Sequence, residues 1–69
     1  MTDTIENTVY SLRTTRGKTQ EELAEAIAVS RQTVIAIEKG NYIPSLLLAI
    51  RIAEYFDKPV ESIFRLCKK

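Results

Sequence analysis

The stretch Leu23-Ala-Glu-Ala-Ile-Ala-Val-Ser-Arg-Gln-Thr-Val-Ile-Ala-Ile-Glu-Lys-Gly40 decides the fold. It holds two helical patterns almost back to back. Only Ala28, Val29 and Ser30 separate them, and no proline marks the corner. Counted from Gln20, apolar residues fall at the fourth, eighth, tenth, fifteenth and eighteenth places: Leu23, Ile27, Val29, Val34 and Ile37. A small residue, Ala24, takes the fifth, where two crossing helices need close approach. Such an arrangement locks a second helix at an angle so that it projects outward. That second helix carries Arg31 and Gln32 on its first turn. Ala28 stands where a sharp corner ordinarily uses glycine.

The rest of the chain extends the helical reading. Asp3 with Glu6 has the D-x-x-E spacing of a capping box, followed by Ile5, Val9 and Leu12 at helical spacing. Gly17 ends that helix, with Arg13 and Arg16 in its last turns, where the dipole favours cations. Thr19 with Glu22 is a second capping box, opening helix two. Ser30 caps helix three and Gly40 stops it. After the loop "NYIP", Ser45 caps helix four, whose stripe is Leu48, Ala49, Ile52, Ala53 and Phe56. Pro59 suits the first turn of helix five, which buries Val60, Ile63 and Phe64. No strand alternation and no internal repeat is evident, so an all-α architecture of five short helices is expected.

Sixty-nine residues allow one domain, near the lower limit for a single hydrophobic core. A hydrophobic fraction of 45% argues against disorder. The longest apolar run, Leu46 to Ile50, is far too short to cross a bilayer, so no membrane partner is expected. Asp3 and Glu6 sit where the positive region of a signal peptide would be, and the one cysteine, Cys67, fits a reducing compartment. A cytoplasmic protein is expected. The absence of histidine removes Ser-His and Cys-His pairs and imidazole metal ligands. With two glycines there is no phosphate-cradling loop, and the scattered carboxylates build no catalytic cleft. No enzyme, metal, cofactor or small-molecule ligand is expected. The formal net charge of +1 does not by itself announce a nucleic-acid binder.

The segments "LRTTRGKTQEELAEAI" (12–27), "VSRQTVIAIEKG" (29–40), "PSLLLAIRIAEYF" (44–56) and "PVESIF" (59–64) together resemble the Cro/CI-type helix-turn-helix regulators, also called the xenobiotic-response-element family. The nearest likeness is to small stand-alone prokaryotic repressors. The resemblance implies a compact five-helix lambda-repressor-like DNA-binding domain over residues 1–69, with its helix-turn-helix at 20–39. It also implies a left-handed backbone at the ninth place, where the family usually has glycine and this chain has Ala28. The start of helix three is then placed in the major groove of double-stranded DNA. Arg31 suits guanine and Gln32 adenine, each through two hydrogen bonds. Ile35 and Ala36 suit thymine methyl groups. The plainer alternatives are a solvated helix-start charge for Arg31, and packing against Tyr42 or helix four for Ile35.

Phosphate contacts are assigned by position. Gln20 begins helix two, whose amino end abuts the backbone in this family. Thr33, Lys39, Asn41 and Tyr42 follow, with Arg16 and Lys18 further out. For Lys39 the plainer reading is a cation at a helix carboxyl end. Glu21, Glu22 and Glu25 imply a narrow footprint. Leu47 and Ile50 lie off the stripe of helix four, either because the stripe is wide or because they form a two-fold dimer contact. Ile43 or the carboxyl-terminal helix would add to that contact, with Phe64 and Leu66 as the alternative location. The expectation is a sequence-specific regulator, a homodimeric repressor on a near-palindromic operator. Its rivals are an antitoxin-like protein that binds a partner protein as well as DNA, and an interaction module that has lost DNA binding.

Overall fold

The computed structural model describes residues 3–68. In chain order these form β1 (Asp3–Asn7), α1 (Val9–Thr15), α2 (Gln20–Ala26), α3 (Arg31–Glu38), α4 (Leu46–Phe56), α5 (Val60–Ile63) and β2 (Phe64–Lys68). Five helices are present as expected, but the architecture is not strictly all-α. β1 and β2 pair antiparallel as a two-stranded ribbon, with Asp3 opposite Lys68, Ile5 opposite Leu66 and Glu6 opposite Arg65. The expected capping box at Asp3 and Glu6 is therefore corrected. Both acids lie in a strand, and α1 begins only at Val9. The reason is non-local: each acid stands opposite a base in the ribbon register, and opposite charges at facing positions favour that pairing. Phe64 is corrected with them. It leaves α5 after one turn, begins β2 and stays half-buried against the core.

The other caps form as the residues dictate. Thr19 accepts from the Glu22 amide at 3.0 Å while the Glu22 carboxylate accepts from the Thr19 amide at 2.8 Å. That backbone bond holds the Glu22 carboxyl below its ordinary range of ionisation, although the residue is exposed. Ser30 accepts from Thr33 and Ser45 from Leu48, each at 3.2 Å. Pro59 takes the cap position immediately before α5 rather than its first turn.

Four helices end in one manner. After each, a residue with positive φ turns the chain: Gly17, Ala28, Gly40 and Asp57. Two crossed amide-to-carbonyl bonds then close the last turn, as in Ala28 to Glu25 (3.3 Å) and Val29 to Ala24 (2.9 Å). The left-handed backbone expected at Ala28 is present, at φ 63°. A β-carbon there is strained by about 1 kcal/mol relative to glycine. Ala28→Gly should therefore raise the thermal midpoint, by at most a few degrees after glycine's greater unfolded-state entropy is subtracted. A lowered midpoint in a thermal melt would contradict the strain.

The core fills the space among α1 to α5. Val9, Leu23, Ile27, Val34, Ile37, Ile52, Phe56 and Ile63 are fully buried, and Ala24 is buried where α2 meets α3. One charged side chain joins them. Arg13 donates from Nε to Glu38 at 2.6 Å, from Nη2 to the same carboxylate at 3.3 Å, and from Nη1 to the Lys18 carbonyl at 2.7 Å. Its pairing with Glu38 raises the affinity of the guanidinium for its proton, against the opposing effect of burial. This pair binds α1 to the end of α3.

Candidate nucleic-acid interface

α3 is packed along one side and exposed at its first turn. Val34 and Ile37 are buried, whereas Arg31 and Gln32 on the first turn are exposed. Arg31, Lys18 and Gln20 border one shallow depression together with Gly17 and Glu21. The structure thus brings together one residue assigned to bases and two assigned to phosphates. Ile35, Ala36 and Thr33 are half-buried, and the Thr33 hydroxyl lies 3.1 Å from that of Ser30. Lys39, Asn41 and Tyr42 follow α3 and are exposed.

Gln20 is less free than its position implied. Its amide nitrogen donates to Glu38 at 3.1 Å, which uses one of its two N–H groups and leaves the other. Arg16 lies apart from this group. Its guanidinium donates to the Phe56 carbonyl at 2.6 Å and stands 5.4 Å from the Phe56 ring centroid, at the end of α4. It borders a different depression, with Thr8, Ser11 and Lys58. On the other side of Arg31, exposed Glu21, Glu22 and Glu25 line a further depression with Thr19 and Val29. The positive surface beside α3 is therefore bounded by acids.

Sequence reasoning missed the Arg13–Glu38–Gln20 network. A signal existed: Arg13 is four residues after Val9, and Glu38 four after Val34, so both fall on inward faces. A second omission is Leu46. It is 73% exposed and accompanies Ile43 (63%), Leu47 (61%) and Ile50 (42%) in an apolar strip on and before α4. Phe64 packs on the core, and exposed Leu66 sits on the ribbon opposite Ile5. Among the described residues, no helix is long and apolar enough to cross a membrane. No group of histidine, cysteine or acidic residues among them is placed to hold a metal ion.

A family model described as helix-turn-helix matches residues 9–63, from the start of α1 to the end of α5. The chain belongs to the helix-turn-helix family. An uncharacterised helix-turn-helix-type transcriptional regulator of Bacillus subtilis, YgzD, is 50% identical over 60 residues, 87% of this chain and 91% of that one. A regulator of the same description from Methanocaldococcus jannaschii, MJ0272, is also 50% identical over 60 residues, with the same coverage of each chain. Among solved structures, the restriction-modification controller protein C.AhdI of Aeromonas hydrophila superposes with a TM-score of 0.73 at 30% identity, covering 78% of this chain and 82% of that one. The family match leaves the terminal ribbon outside its bounds. This helix-turn-helix protein adds those strands to the matched five-helix region.

Proposed function

We propose that this helix-turn-helix regulator binds double-stranded DNA sequence-specifically as a homodimeric repressor. The observation that carries the reading is the first turn of α3. Arg31 and Gln32 are bare there, on a helix whose opposite side is packed into the core. A helix so held presents a fixed set of donors and acceptors to base edges. Arg31 and Gln32 read bases, with Ile35 and Ala36 flanking them. Lys18, Gln20, Thr33, Lys39, Asn41 and Tyr42 take the adjoining phosphates. Arg16 has the weakest claim to a phosphate, because it is engaged with Phe56. Occupation of a near-palindromic operator by two copies would block transcription without further chemistry. The acids around Arg31 keep non-specific attraction low, which favours discrimination over raw affinity.

Two single changes test the division of labour. Arg31→Ala should weaken specific binding by roughly 1–3 kcal/mol and relax preference at one base pair. Lys39→Ala should weaken binding to every sequence alike and flatten the salt dependence. Both are measured by titrating operator and random duplexes over a range of salt. Equal losses on the two duplexes for Arg31→Ala would remove that residue from the base-reading set.

A further inference from the structure

We propose that Asn7 is a positioning residue for DNA recognition, tying the terminal ribbon to the carboxyl end of α3. The inference rests on the reading of α3 as the base-reading helix. Asn7 is the last residue of β1, separated from α1 by Thr8 alone. Its amide nitrogen donates to the Ile37 carbonyl at 3.0 Å, across thirty positions of sequence. Its amide oxygen accepts from the Val9 amide, also at 3.0 Å. One planar group therefore serves both ends: the donor side faces a carbonyl and the acceptor side faces an N–H.

The Ile37 carbonyl belongs to the last turn of α3, where carbonyls lack an intrahelical partner. The Gly40 amide occupies it at 3.0 Å, and Asn7 supplies its second donor. The start of α3 is held by the Ser30 cap. Its end is held by the Arg13–Glu38 pair and by Asn7. Asn7 is itself braced. It pairs with Phe64 in the ribbon, and the next amide, Thr8, donates to the Ile63 carbonyl at 3.0 Å. The ribbon and α5 thus act on the tilt of α3 through one side chain. Exposed Lys39, Asn41 and Tyr42 leave α3 directly after this tie. Reading a base edge demands a fixed helix angle, whereas sequence-independent phosphate attraction tolerates a loose one.

The test uses Asn7→Asp. The new side chain keeps an acceptor for the Val9 amide, loses the donor to Ile37 and sets a negative charge against that carbonyl. Affinity for a selected operator should fall about three- to tenfold, the equivalent of one hydrogen bond. Affinity for random duplex should stay within about twofold. Without DNA, amide exchange at Gly40 and Asn41, which close α3, should accelerate. Val60→Ala, a truncation at the start of α5 beside Ala53 and Asp57 that leaves the Ile63 carbonyl and both Asn7 bonds in place, serves as the stability control and should leave the specific-to-random ratio and those two amides unchanged. If Asn7→Asp does not fold, Asn7→Ser keeps a short acceptor, lacks the reach to Ile37, and carries the same readouts. A wild-type ratio together with wild-type exchange at Gly40 and Asn41 would overturn the proposal. So would a parallel loss on both duplexes matching that of Val60→Ala. A wild-type chain that selects no sequence would defeat the proposed function instead, and the exchange measurement would still decide whether Asn7 holds α3.

Discussion

Arg13→Met should be among the most damaging single substitutions in this chain, lowering stability by roughly 3–5 kcal/mol. The Arg13 and Glu38 side chains are only 10% and 5% exposed, so neither charge has water to fall back on. Removing the guanidinium leaves the Glu38 carboxylate with no countercharge and only the neutral Gln20 amide as a donor, and leaves the Lys18 carbonyl without its donor. Breaking a buried pair from one side costs far more than the pair contributes relative to apolar replacements, because the orphaned charge remains. A domain of this size has in total only about 5 kcal/mol, or a little more, to lose. The thermal midpoint should fall by more than about 12 °C. Replacing both partners, Arg13→Met with Glu38→Leu, should recover most of that stability. Denaturant titration of the single and double variants checks both statements. A single-variant loss under about 1 kcal/mol would mean the pair behaves as a surface pair.

The second large effect concerns assembly. One recognition helix reads only a few base pairs, too few to single out a site in a genome. Two copies about a two-fold axis would read both halves of a near-palindrome. Leu47 and Ile50 are exposed beside Leu46 and Ile43, while the buried stripe of α4 runs through Leu48, Ile52 and Phe56. Changing Leu47 and Ile50 together to glutamate would bring four like charges to the axis and leave that stripe intact. The proposed dimer should dissociate, and operator affinity should fall on the order of 10²- to 10³-fold, since the second half-site no longer binds in concert. Affinity for random duplex should change far less. Sedimentation reports the mass and circular dichroism the helices. A double variant that remains dimeric would move the contact elsewhere, Leu66 on the ribbon being the next exposed apolar residue. One that unfolds would make Leu47 and Ile50 parts of the core.

Most of the helical region was legible because its signals are local. Thr19, Ser30 and Ser45 cap helices through bonds spanning three residues, and the apolar positions recur at helical spacing. The left-handed turn at Ala28 was legible only through the family pattern, since nothing in alanine itself calls for positive φ. The turn at Asp57 was missed although aspartate visits the left-handed region more readily than alanine. The ribbon was missed because its partners lie at opposite ends of the chain, and Asp3 with Glu6 mimics a cap when read alone. At the site, exposure of Arg31 and Gln32 followed from the phase of Val34 and Ile37. The engagement of Gln20 with Glu38, and of Arg16 with Phe56, depends on which helices meet, and local spacing does not state that.

α3 is proposed to read a specific sequence in duplex DNA. Selection of bound duplexes from a random pool tests it most directly. Convergence is expected on a near-palindrome whose half-sites lie about 34 Å apart, one turn of duplex. The same selection with Arg31→Ala should lose preference at one position in each half. A pool that shows no consensus after repeated selection, with retention that depends on salt alone, would contradict the account.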